Sequence, residues 1–365
     1  SALRNISQRQ TDLSNLQENL TSGKRVVRAS DDPVAAAQAE RALTRISRIQ
    51  TEQRALDQQR NSIAQAESSL GDAVKLGQEI RELLVSAGNA AQTPSDRRTV
   101  ANQLQSLRDQ LFSITSRKDT NGQPLFAALG SGLSPLLGPQ NATADYQFNG
   151  LAGQAAPGEA SIPLVLDGDA AFSFQAKRDG AYYASIEGTA ANPLNGRQLV
   201  AGAVTMDKTT AISADPTTGK GYSYALTFTN VVADSATGMV TATYEITTPG
   251  DPANPDALAD PNFTPAPVTV TFPVNKALNI EVSQAAAEDA AIAAGSSAAD
   301  AEGQFIPGLK FTITATPTKA PDGTITLSPA TGDTITLEPS TSIFSALDRA
   351  IAEIGSANNS NAAVQ

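Results

Sequence analysis

Apolar positions at the start of the chain advance in steps of seven, three and four. Ile6, Leu13, Leu16 and Leu20 make one stripe, with Arg4, Arg9, Asp12 and Glu18 off it. That spacing predicts an amphipathic helix over residues 1–22. From Pro33 to Ala87 no second proline interrupts the pattern, and the only glycines are Gly71 and Gly77. Ala42, Ile49, Leu56, Ile63 and Leu70 recur every seven residues, the period of a coiled coil. A helix of that length is a rod of roughly 80 Å at 1.5 Å per residue. Its second seam, Glu52, Gln59, Ala66, Ala73 and Ile80, is less apolar, and between Gln50 and Asn61 Leu56 is the main apolar residue. The rod is therefore expected to have one partner within the chain and further neighbours from other subunits.

Thr93-Pro94-Ser95-Asp96 opens the next helix with a cap, a proline in the first turn and an acid at the third position. Val100, Leu104, Leu107, Leu111 and Ile114 follow at helical spacing, which predicts a helix antiparallel to the rod. Past Leu129, Gly, Pro, Ser and Thr become frequent and β-branched alternation replaces helical spacing. Strands are expected at 162–166, 171–175, 181–186, 222–232, 239–247, 268–274, 278–282, 309–315, 324–327 and 333–337. Short strands between Gly- and Pro-containing turns predict an all-β body of sandwich or barrel type. Residues 249–267 read as a proline-rich exposed loop, and 285–301 as a short alanine-rich helix or insertion. Helical spacing returns at Ile343, Phe344, Leu347, Ile351 and Ile354, with Ser340 or Ser342 able to cap. The expected class is α+β multidomain: a long antiparallel, coiled-coil-like helical rod with an inserted all-β domain. The expected division is residues 1–128 and 340–365 for the rod and 129–339 for the β part.

Composition narrows the chemistry. The 365 residues include no Cys, His or Trp. Ser-His-Asp and Cys-His catalysis, zinc fingers, thiol redox and His or Cys haem ligation are thereby excluded. Residues 1–120 hold 17 Lys+Arg against 14 Asp+Glu, whereas residues 121–365 hold 9 against 23. A near-balanced helical part and an acidic remainder argue against nucleic acid as a partner. No stretch is apolar enough to insert in a membrane, and no cleavable signal peptide opens the chain. Carboxylates such as Asp167, Asp169 and Asp179 could in principle pair for glycoside hydrolysis, but their turn contexts favour local bonding. Asp167-Gly168-Asp169 and the 251–260 loop offer calcium-type oxygens without the twelve-residue EF-hand pattern. The reading is no enzyme, no catalytic residue, no metal and no cofactor.

Between the first two helices lies LTSGKRVVRASDDPVAAAQ, residues 20–38. Gly23 stands where a helix stops, and Lys24 and Arg25 follow at the negative end of its dipole. Ser30, Asp31 and Asp32 can cap the next helix, and Pro33 fits its first turn. The string resembles the N-terminal signature of the bacterial flagellin family. Asp-Asp-Pro before an alanine run is most similar to its hook-associated branch, since flagellins proper more often carry Asp-Asp-Ala-Ala-Gly here. Asn121-Gly122-Gln123-Pro124-Leu125-Phe126-Ala127, Tyr146-Gln147-Phe148-Asn149-Gly150 and the run at 332–347 resemble the same branch.

The resemblance implies D1-like rod parts, a D2-like β domain, and absence at both ends of the terminal D0-like segments. It implies a structural role in the flagellum, as a junction protein linking the hook-associated layer to the flagellin filament. The alternatives are a flagellin filament subunit or, in another class, an extracellular adhesin or glycan-binding module. Implied partners are further copies in a ring, hook-associated protein 1-like subunits, flagellin, an export chaperone and the type III export apparatus. The implied location is extracellular, on the flagellum, without a cleaved signal peptide. Arg41, Arg45, Arg48 and Arg54, on positions the intramolecular seam does not need, are expected either at subunit contacts or on a solvated face.

Overall fold

α1 (Ala2–Ser22) and α2 (Pro33–Ala87) take the boundaries that the spacing predicts. The computed structural model describes residues 2–23, 33–88, 93–127, 134–139, 145–149, 165–208, 211–250 and 258–356. α1 ends at Gly23, whose φ of 65° is the left-handed conformation that glycine adopts without steric cost. α3 (Pro94–Thr115) begins at a complete capping box. The Asp96 N–H donates to Thr93 Oγ1 at 3.2 Å, and the Thr93 N–H donates to Asp96 Oδ2 at 3.0 Å. Two donors that a helix start leaves unpaired are thus satisfied reciprocally. Beyond the end of α3, Arg117 reaches Asp72 at 2.7 Å and Ser69 at 3.3 Å, so α3 lies antiparallel along the second half of α2. Burial on α2 follows from this: Ser62, Ala66, Ser69, Ile80 and Ala87 are its buried residues.

Residues 136–137 pair with 147–148 in a two-stranded ribbon, and the Leu166 N–H donates to the Leu125 carbonyl at 2.8 Å. The strand expected at 171–175 is instead α4 (Gly168–Phe172), followed by α5 (Ala176–Asp179). Asp167 is the reason: its Oδ1 accepts the N–H groups of Asp169 and Ala170 at 3.0 and 3.2 Å, an N-cap that overrides the apolar alternation. Leu136, Tyr146 and Phe172 share a core with Leu104, Leu111, Ile114, Phe126, Phe344 and Leu347. Packing therefore assigns them to the helical body, although composition changes at residue 129.

The β body has a five-stranded antiparallel sheet in the order 182–187, 334–339, 224–234, 239–247, 268–273. Strand 239–247 buries Val240, Ala242, Tyr244 and Ile246 and turns its alternate residues outward. Outward Thr243 and Thr241 pair across the sheet with Thr269 and Thr271 at 2.9 and 3.4 Å. The second sheet centres on 309–316, flanked by 278–282 on one edge and by 198–201 and 205–206 on the other. Leu226, Phe228, Ile246, Ile335 and Leu337 meet Ile280, Phe311 and Ile313 in one core, which makes a sandwich. Strands 198–201 and 205–206 were not expected from the sequence. The alanine-rich segment forms α6 (Gln284–Ala293), capped by Ser283, and a 3-10 turn at Ala298–Ala301. Residues 251–257 of the expected loop lie outside the described residues.

α7 (Ile343–Gly355) is capped by Ser342, the second of the two candidate serines, and packs on α3. Phe344 on α7 meets Phe112 on α3, and Gly355 lies against Ala101, so α7 runs antiparallel to α3. Deep in the β body, Arg197 pairs with Asp333, their side chains 6% and 0% exposed. Burial pushes the Asp333 carboxyl up, opposed by the Ala330 N–H and the Arg197 guanidinium. The pair fastens the loop before strand 334–339 to the start of strand 198–201.

Removing one member of such a pair leaves the other charge buried. Arg197→Ala should cost about 3–5 kcal/mol in denaturant unfolding, whereas an exposed substitution such as Arg45→Ala should change stability by less than about 0.5 kcal/mol. The Asp96 cap gives a pH signature. Its hydrogen bonds to Thr93 hold the carboxyl below the usual 3.8, so its contribution is full above that value and is lost as pH falls through the lowered one. The stability difference between the parent chain and Asp96→Asn should therefore be constant near neutrality and shrink below pH 3.8, measured by thermal melts across pH.

Candidate assembly interface

α1 keeps its apolar stripe in water: Leu3, Ile6, Leu13, Leu16 and Leu20 are each more than half exposed. The first half of α2 does the same, with Leu43 59% and Ile49 43% exposed, against 4% for Ile80 on the covered half. One heptad pattern thus runs through two environments. Full burial of a Leu or Ile contributes about 1.5–3 kcal/mol. Scaled by their exposed fractions, the five positions on α1 with Leu43, Ile46 and Ile49 offer a gross driving force of roughly 8–15 kcal/mol. That is the same order as the cost of docking two subunits, on the order of 4–15 kcal/mol. A single pairwise contact is close to balanced, and repetition decides the outcome.

Arg41, Arg45 and Arg48 are exposed on one side of the α2 stripe, four and three residues apart, and Arg54 falls on the other side. Arg48 reaches Glu52 at 3.5 Å, with side chains 75% and 67% exposed. Such a pair contributes about 0–1 kcal/mol and is readily exchanged for an external carboxylate. The Arg54 Nε donates to the Gln50 carbonyl at 3.3 Å. Of the signature turn, Gly23 ends α1 and Pro33 is the first residue of α2. Lys24, Arg25, Ser30, Asp31 and Asp32 lie outside the described residues.

A second feature escaped sequence reasoning. On one side of α7, Asp348 Oδ1 accepts from Arg108 Nε at 2.7 Å and Oδ2 accepts from the Tyr146 hydroxyl at 2.7 Å. Burial and the Asp348 charge push the Tyr146 phenol up. Burial opposes the Arg108 charge, and the Asp348 bonds more than offset it. On the other side, Arg349 stands 5.0 Å from the Tyr183 ring centre and 3.7 Å from Glu338, and the Tyr183 hydroxyl donates to Glu353. α7 therefore joins the helical body to the five-stranded sheet. Charged residues flanking its apolar stripe were the only available signal, and they do not name partners.

Two of the three candidate carboxylates are engaged locally. Asp167 caps α4, and Asp179 accepts the Gln175 N–H at 2.8 Å and pairs with Arg178. Among the described residues no group of three or more Asp or Glu is placed to hold a metal ion, and no helix is long and apolar enough to cross a membrane.

Residues 1–130 match the bacterial flagellin N-terminal helical region. Over 132 residues the chain is 33% identical to flagellar hook-associated protein 3 of Salmonella typhimurium, covering 36% of this chain and 41% of that protein. It is 28% identical over 148 residues to a flagellin of Clostridium tyrobutyricum, covering 40% and 38% respectively. The chain thus matches about two-fifths of the length of these curated relatives. Its fold is that of the flagellar junction protein from Legionella pneumophila, with a TM-score of 0.56 over 90% of this chain and 88% of the other at 19% identity.

Substitution separates association from folding. Leu16→Glu and Ile46→Glu should leave the unfolding free energy of the isolated chain, from denaturant titration, unchanged within about 0.5 kcal/mol. Asp348→Ala, which leaves Tyr146 without its acceptor and Arg108 with Asp109 alone, should cost about 1–3 kcal/mol in the same assay.

Proposed function

We propose that this chain, whose first 130 residues carry the flagellin-family helical region, is the junction subunit of a bacterial flagellum. In this reading it links the hook-associated layer to the flagellin filament by subunit packing, without catalysis or cofactor. The observation that carries it is the uncovered apolar stripe on α1 and the first half of α2, within the residues that match the flagellin N-terminal helical region. Copies of the chain pack rod against rod in a ring, with Arg41, Arg45, Arg48 and Arg54 taking carboxylates of neighbours and the turn from Gly23 to Pro33 facing the next subunit. Hook-associated protein 1-like subunits lie on one side of the ring and flagellin on the other. The helical rod, with the short elements between Leu136 and Phe172 packed on it, lies against its neighbours, and the β body from Tyr182 to Pro339 projects outward. The subunit works outside the cell, delivered by an export chaperone and the type III export apparatus without a cleaved signal. The weaker likeness to flagellin supports a second reading, a filament subunit.

Immunogold labelling of intact flagella with the full-length protein distinguishes the two. The junction reading expects label confined to the hook–filament boundary, and release of flagellin into the medium when the gene is deleted. Complementation with Ile46→Glu should fail to retain filaments although the protein is exported. Label along the whole filament, or long filaments grown from the purified protein alone, would reverse the assignment.

A further inference from the structure

A cleft of about 430 Å³ opens on the β body between residues 260–264, α6 and residues 298–307. Small-molecule sites typically enclose roughly 300–1,000 Å³. A close backbone approach sets one wall. Gly303 has a φ of 82°, and a Cβ there would stand 2.0 Å from the Thr264 carbonyl oxygen. The cleft is therefore built into the backbone rather than left between mobile side chains.

Asp260, which lines the cleft, is 6% exposed. Its Oδ1 accepts the Asn262 N–H at 3.0 Å, while Oδ2 lies 3.4 Å from the Tyr224 hydroxyl, long for an O–H···O bond. Two such bonds leave acceptor capacity on a carboxylate that is shielded from water. Tyr224 also bonds Ser213, which lines the same space, and burial pushes its phenol up so that it remains a donor. On α6, the Gln284 amide donates to Glu288 at 2.6 Å, which orients both groups. Phe263 and Phe305 add apolar surface, and among the described residues no Lys or Arg lines the cleft.

Carboxylates, amides and hydroxyls beside two phenyl rings fit a ligand that is both rich in hydroxyl donors and apolar on its C–H faces. Asp260, Glu288 and Glu302 together repel an anionic one. We propose that this cleft binds a neutral saccharide unit, a function separate from subunit packing. An arginine or lysine side chain of another protein is the competing class of occupant.

Saturation-transfer NMR on the full chain tests this directly. The panel holds glucose, galactose, mannose and N-acetylglucosamine with their disaccharides, beside glucuronic acid, N-acetylneuraminic acid and acetyl-arginine amide. Transfer is expected from at least one neutral sugar, and about tenfold weaker binding in Glu288→Gln and in Phe305→Ala, with circular dichroism confirming the fold. Glu288→Gln keeps the test valid if Phe305→Ala does not fold. The proposal is overturned by silence from every neutral sugar, by equal transfer from the acidic ones, by binding of the arginine amide alone, or by undiminished binding in the folded variants.

Discussion

Asp348 holds the helical body in register. Its two oxygens bind Arg108 of α3 and Tyr146 beside the 147–148 strand, elements that the chain brings together from more than two hundred residues away. One turn earlier on α7, Phe344 is ringed by Phe112, Tyr146 and Phe172 at centroid distances of 5.2–6.1 Å. The carboxylate and the ring cluster act together: the apolar contacts supply most of the free energy, and the charge fixes which rotation of α7 presents its other side to the sheet. Without that rotation, Arg349 and Glu353 could not reach Tyr183.

This division explains why a chain so rich in helix leaves much of it bare. The core uses the second half of α2, all of α3 and α7, and the short elements at 136–172. Nothing in that list extends past Leu56 toward Pro33, and the polar stretch from Gln50 to Asn61 marks where internal support ends. The acidic charge sits elsewhere, on the β body, where Thr pairs across adjacent strands keep the outward face uncharged in places.

Much of this was legible in the sequence where the signal is local. The limits of α2, the capping box at Thr93 and the strand at 239–247 follow from period, cap chemistry and alternation within a few residues. α4 was misread as a strand because Ala171 to Gln175 alternates, while the deciding bond comes from Asp167 upstream. Strands 198–201 and 205–206 are too short to show a period. The Arg108–Asp348 and Arg197–Asp333 pairs span 240 and 136 positions, and no local rule links such partners. The bare stripe was half legible: the weak seam predicted missing neighbours, but only the packing located the loss in the first half of the rod and in α1.

A helix held along one half and free along the other is a lever. From Ser62 back to Pro33 the overhang is about 43 Å at 1.5 Å per residue. A tilt of only about 5° at the supported half would carry its tip roughly 4 Å, most of the 5.4 Å pitch of one turn. Side chains that must seat between those of an adjacent helix would then miss their slots. Alignment at the far end of the rod is thus decided by the stiffness of the aromatic cluster around Phe344, which touches none of the residues that need aligning.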